Sequence, residues 1–125
     1  MGNKTYKDLL FWIRALEVAK RIIRLTPKLP RSRAAQIITS QVLRSSMSVG
    51  ANIAEGYGRF GPKEYKRYLQ VALGSANETE HWLLLLKEAC PKYDKEITNI
   101  IDRNTETIKM LASSLKTLRT NRTYS

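Results

Sequence analysis

Glu78 and His81 stand three residues apart, a spacing that sets a carboxylate and an imidazole on one face of a helix. In ferritin-like bundles two such Glu-x-x-His pairs hold two metal ions between helices. His81 is the sole histidine, so a second pair cannot be assembled within this chain. Cys90 is the sole cysteine, which excludes an internal disulfide and a cysteine-based zinc site. It follows His81 by nine residues, about 13 Å along a helix and too far for a Cys–His dyad within it. Gly56-Tyr57-Gly58 follows no strand, and no Gly-x-x-x-x-Gly-Lys run exists, so the dinucleotide fingerprint and the phosphate loop are both missing. No catalytic residue, metal or cofactor is therefore expected, and the chain reads as a non-enzyme.

The residues best suited to chemistry are those that hold charge. Arg59, Lys63, Lys66 and Arg67 crowd the segment Gly56–Tyr68, and Tyr57, Phe60, Tyr65 and Tyr68 are interleaved with them. Cationic side chains neutralise phosphates and release counterions, while aromatic rings stack on exposed bases. A helix beginning at Pro62 adds free N–H donors and partial positive charge at the same place. Tyr65 is expected to face the interior. Arg14, Arg21 and Arg24 on the first helix, with Arg31, Arg33 and Arg44, are candidates to extend the patch. This set reads as a nucleic-acid-binding surface, for RNA or DNA.

Four segments must position these residues, and none alternates like a strand. The first spans about Tyr6 to Thr26, stopped by Pro27 and Pro30. It carries two apolar seams: Leu9, Trp12, Leu16, Ala19 and Ile23, and then Phe11, Ala15, Val18, Ile22 and Leu25. Together they are wider than one neighbour needs. The second spans about Ser32 to Glu55, with Gly56 as its stop. Its small-residue stretch around Gly50 predicts a bend or a tight crossing. The third runs from Pro62, capped by Gly61, to about Ala89 along the seam Tyr65, Leu69, Ala72, Ala76, Thr79, Leu83 and Leu86. The fourth spans about Tyr93 to Leu118, with Ile97, Ile101, Asn104, Ile108, Leu111, Leu115 and Leu118 in line. Asn104 reads as a register-fixing or, preferably, a partly exposed position. Short connections between four amphipathic helices predict an all-α, antiparallel up-down-up-down four-helix bundle. It forms one domain over 1–125, frayed at the polar ends 1–5 and 119–125.

Composition narrows the partners. The chain has 125 residues, 42% of them hydrophobic, enough for one core. It carries 22 Lys+Arg against 11 Asp+Glu, a net charge of +11. Residues 1–77 hold 14 of the basic and 4 of the acidic groups, so the excess is concentrated there. Such a surface suits nucleic acid, an acidic protein or anionic lipid, with solubility as the plainer reading. No apolar run approaches a membrane span and the N-terminus offers no signal-peptide core, so a cytoplasmic protein with no membrane partner is expected.

The run Asn52-Ile53-Ala54-Glu55-Gly56-Tyr57-Gly58-Arg59, with Lys63-Glu64-Tyr65 and Leu69-x-x-Ala72-Leu73-Gly74-Ser75-Ala76-x-Glu78, resembles a known signature. It is that of the bacterial four-helix-bundle proteins encoded in intervening sequences of 23S ribosomal RNA genes. The resemblance extends from about Leu9 to the end of the third helix, while the fourth matches in pattern only. Gly50 stands where the family usually has Pro, and Gly61 where it has Ser; His81 is not a position associated with the family. The resemblance implies a homopentamer of bundles without an active site. The family is also similar to the accessory variability determinant of diversity-generating retroelements, which implies a reverse transcriptase as an alternative partner.

Overall fold

The structure is a computed structural model that describes residues 4–59 and 61–120, with side chains to Leu118. Among these residues every regular element is helical: α1 (Leu10–Leu25), α2 (Arg33–Tyr57), α3 (Pro62–Ala89) and α4 (Asp94–Thr120). Short 3-10 turns at Tyr6–Asp8, Thr26–Lys28 and Pro91–Tyr93 precede α1, follow it and precede α4. Each long helix packs on two others, α1 on α2 and α4, and α3 on α2 and α4.

The first helix is shorter than its periodicity predicts, because a reciprocal cap closes the chain one turn early. Thr5 Oγ1 accepts from the Lys7 amide at 3.2 Å, and Asp8 Oδ2 accepts from the Thr5 amide at 2.8 Å. Leu9 is then extended (φ −76°, ψ 123°), and α1 starts only at Leu10. The cap orders Thr5, within the expected frayed end. Residues 1–3 and 121–125 of the expected frays, and the Phe60 ring, lie outside the described residues. At the other end α2 runs through Gly56 to Tyr57, with Gly58 as its cap. Tyr93 belongs to a turn, and α4 starts at Asp94 and continues to Thr120.

The core forms two clusters. One joins Val18, Ile22 and Leu25 of α1 to Ala35 and Val42 of α2, Leu83 and Leu86 of α3, and Ile97 and Ile100 of α4. The other joins Phe11 and Ala15 to Val49 and Ile53, Leu69, Ala72 and Ala76, and Leu111. Burying an aliphatic side chain contributes roughly 1.5–3 kcal/mol, so these layers supply most of what holds the bundle together. Between them lies a band of buried polar groups. Thr79 Oγ1 sits 2.9 Å from Ser45 Oγ and 2.8 Å from the Ser75 carbonyl oxygen, and Asn104 Nδ2 donates to the Ala76 carbonyl at 2.9 Å. Asn104 is 1% exposed, so the partly exposed position expected for it gives way to a buried one. Its amide is tolerated inside because a carbonyl on α3 receives it.

The small-residue stretch around Gly50 does pack closely on α3, with Ser48 Oγ 3.0 Å from Ser75 Oγ and Ser45 Oγ 2.9 Å from Thr79 Oγ1. α2 is unbroken through Gly50, whose added Cβ would meet Trp12 Nε1 at an ordinary 3.5 Å. At Gly56 an added Cβ would lie 2.5 Å from Tyr68 Cβ, so at this glycine, buried in the last turn of α2, α3 approaches too closely for a side chain. Gly61, the N-cap of α3, has φ +86°, a region that penalises any side chain. Of the two seams of α1, Phe11, Ala15, Val18, Ile22 and Leu25 are buried in the core. Residues of the other, with Ala15 and α2, line an apolar groove of about 370 Å³ that also takes in Tyr6, Met47, Gly50, Ala51 and Ala54. Ile23 and Met47 on its rim are 45% and 48% exposed.

Candidate nucleic-acid interface

The basic residues selected from the sequence fall on two separate surfaces. Arg59, Lys63, Lys66 and Arg67 lie at the α2–α3 turn, beside the cluster built on Ile53 and Leu69. Arg21 and Arg24 lie at the other end of the bundle, where α1 finishes beside the cluster built on Leu25, Leu86 and Ile97. Arg14 is exposed on α1, two turns before Arg21.

At the turn, both arginines already have partners. Arg59 Nη2 donates to Glu55 Oε2 at 2.5 Å, and Arg67 Nη2 to Glu64 Oε1 at 3.2 Å. Their guanidinium carbons stand 5.4 Å and 4.6 Å from the centre of the Tyr68 ring. Tyr68 and then Glu55 raise Arg59 above the ordinary guanidinium range. Glu64 is held below the usual carboxylate range by its hydrogen bond from Arg67 and by that residue's charge. Tyr65, expected to face the interior, is half-buried against the core cluster and edge-on to Tyr57 at 6.2 Å; burial first, and Tyr57 second, push its phenol up. Lys63 and Lys66 form no ion pair among the described residues.

At the opposite end, α1 and α4 enclose an open groove of about 390 Å³ lined by Arg21, Arg24, Leu25, Lys28, Lys95, Glu96, Asn99 and Ile100. Four cations thus face one carboxylate. Arg21 is held by Glu17 at 3.2 Å and donates to Asn99 Oδ1 at 3.4 Å, which fixes its guanidinium along the groove wall. Arg103 completes this network, reaching Glu17 at 3.3 Å and Asn99 at 3.2 Å. Arg24, Lys28 and Lys95 have no ion-pair partner among the described residues. Lys28, Lys95, Asn99 and Arg103 escaped the sequence reading. Lys28 sits in the turn that follows α1, while Lys95, Asn99 and Arg103 sit on a helix of balanced charge that only the packing of α4 on α1 brings to the arginines.

Of the remaining candidates, Arg44 pairs with Glu78, while Arg31 and Arg33 are exposed near the start of α2. Glu78 also accepts from Trp82 Nε1 at 2.9 Å, and its carboxyl is held low first by that bond and then by Arg44. His81 lies edge-on to Trp82, ring centres 4.8 Å apart. Among the described residues no group of three or more His, Cys, Asp or Glu side chains could hold a metal ion. Cys90 is buried and free, and burial pushes its thiol up, away from the reactive thiolate. Among the described residues no helix is long and apolar enough to cross a membrane.

Comparison with known proteins places this arrangement. A crystal structure of a protein of unknown function from the S23 ribosomal protein family of Bacteroides thetaiotaomicron VPI-5482 superposes with a TM-score of 0.77 at 34% identity. The match covers 86% of this chain and 99% of that one. No curated protein matches. The family model for 23S rRNA-intervening sequence proteins matches residues 7–113, which takes in all of α1, α2 and α3 and most of α4. The chain belongs to the 23S rRNA-intervening sequence protein family.

Proposed function

We propose that this protein is a non-catalytic, oligomeric nucleic-acid-binding module that grips RNA or an RNA–DNA intermediate through phosphates. The observation that carries the reading is the groove between α1 and α4, where Arg24, Lys28 and Lys95, free of ion pairs among the described residues, stand beside Arg21, which Glu17 holds, with Glu96 the one carboxylate in the lining. A cleft lined by one sign of charge concentrates the field and raises the local density of counter-ions. The turn surface has a lesser part, because Arg59 and Arg67 spend their charge on Glu55 and Glu64, leaving Lys63 and Lys66 for an incoming phosphate. Arg14 extends the groove wall toward the middle of α1.

Two structural expectations belong to the same proposal. The antiparallel up-down-up-down course of the helices is supported by the clusters, since the end of α1 shares one with the start of α2, the end of α3 and the start of α4. Self-association, as the pentamer that the resemblance implies, is supported by the apolar groove beside Trp12, Ile23 and Met47. A cytoplasmic location is part of this reading.

The test is binding of labelled single-stranded RNA, DNA and duplex across a salt series, with the Arg59→Ala/Lys63→Ala/Lys66→Ala variant alongside the parent. The reading expects binding near physiological salt that falls steeply as salt rises, with partial weakening in the variant. No binding at that salt would sink it and leave a scaffold for an acidic protein. A second reading, an accessory subunit of a reverse transcriptase in a diversity-generating retroelement, follows from the resemblance of the family to the accessory variability determinant, with the strong positive charge in its support. A neighbouring reverse-transcriptase gene with a template repeat would support that partner.

A further inference from the structure

We infer, on the nucleic-acid reading proposed above, that the ligand is double-helical and is held by its phosphodiester backbones without readout of bases. The groove between α1 and α4 contains no aromatic ring; its lining is four cations, one carboxylate, one amide and two aliphatic side chains. Stacking on an aromatic side chain is what gives proteins their hold on single strands, roughly 1–3 kcal/mol per base. Every phenylalanine, tyrosine and tryptophan ring among the described residues is engaged elsewhere. Phe11 is buried in one core cluster and Tyr93 packs against the other. Tyr6 and Trp12 cover each other edge-on at 5.1 Å, and Trp82 is tied to Glu78. Tyr68 lies beside two guanidinium groups, and Tyr65 is half-buried against Tyr57.

The most exposed of these rings is Tyr57, at 37%. It sits at the last residue of α2, whereas the groove lies at the end where α2 begins. The 25 residues of α2 separate them by on the order of 35 Å, so the same few nucleotides cannot stack on Tyr57 and fill the groove. What remains in the groove is charge without a base platform. A duplex presents a phosphate about every 1.7 Å of axis, against about 3.4 Å for one strand, and holds it at fixed spacing. A surface that offers only cations therefore favours the duplex, and no contact discriminates its sequence.

The experiment uses blunt duplexes of about 20 base pairs in two unrelated sequences, each as RNA and as DNA, with the component single strands, across a salt series that includes about 150 mM. The parent is compared with Arg24→Ala/Lys28→Ala/Lys95→Ala and with Tyr57→Ala. The two sequences are expected to bind within about twofold, and single strands at least about tenfold more weakly. The groove variant should reduce the slope of log K against log salt by about 3, near one for each cation removed, while Tyr57→Ala should change nothing. The RNA and DNA arms tell which double helix is preferred. Single strands that bind as tightly as duplex, a tenfold preference between sequences, or a loss in Tyr57→Ala equal to that in the groove variant would each overturn the inference while leaving nucleic-acid binding intact. Failure of every probe to bind would overturn both.

Discussion

Gly56 has no side chain because there is no space for one: a Cβ there would stand 2.5 Å from the Cβ of Tyr68. The obstructing atom is next to the backbone of α3, so relief requires the helices to separate. Gly56→Ala is expected to destabilise the protein by about 1–3 kcal/mol despite the better helix propensity of alanine. Gly50→Ala, with Trp12 Nε1 at an ordinary 3.5 Å, should instead gain roughly 0.5–1 kcal/mol. Urea denaturation of the two variants checks the opposite signs. Glu78 supplies a pH-dependent term. Its carboxyl is held low by Trp82 and Arg44, so the folded state binds its proton less readily than the unfolded chain. That contribution is complete above the unfolded carboxylate range and disappears as pH falls through the folded value. The melting-temperature gap between the parent and Glu78→Gln should be widest at neutral pH and close on acidification; a gap that ignores pH would contradict the assignment. Partnerships between helices, such as Arg44 with Glu78, were hidden in the sequence. Those within a helix were legible: Glu55 stands four residues before Arg59 and Glu64 three before Arg67, spacings that pair on a helix and that a reading of both arginines as free cations passes over.

At the scale of the elements, apolar spacing was the most legible signal. The α3 seam Leu69, Ala72, Ala76, Thr79, Leu83 and Leu86 is buried as its near-heptad spacing implies. Boundaries were less legible where a local cap overrides periodicity, as Thr5 and Asp8 do before α1. Polar residues inside the core were the least legible. Ser45, Asn104 and Thr107 are buried, yet spacing alone does not say whether a polar side chain will find an acceptor across the interface. Asn104 does so on Ala76, linking α4 to α3 between the two apolar clusters. Asn104→Ala removes this bond and leaves a void, and should cost about 2–3 kcal/mol. A loss under about 0.5 kcal/mol in chemical denaturation, within the noise of surface substitutions, would show that the amide does not tie the helices.

For the whole molecule, the concentration of charge in residues 1–77 was visible in the sequence, but its division between two ends was not. The groove draws Arg21, Arg24 and Lys28 from one side of that boundary and Lys95 from the other. The second apolar seam of α1 was also visible, and the groove that it lines is the surface proposed for self-association. Charged residues there should dissociate the assembly. Sedimentation is expected to report an oligomer for the parent and a folded monomer for Ile23→Glu/Met47→Glu; an oligomer unchanged in the variant would move the interface elsewhere, and a monomeric parent would overturn self-association. The central claim is that the α1–α4 groove holds nucleic acid, and charge reversal tests it most directly. The measurement is duplex binding by Arg24→Glu/Lys28→Glu/Lys95→Glu near physiological salt, with thermal melting recorded in parallel. These cations have no ion-pair partner among the described residues, so the fold should tolerate their reversal. Loss of binding by about a hundredfold or more, with melting little changed, is the result predicted. Parent-like affinity in a folded variant would contradict it.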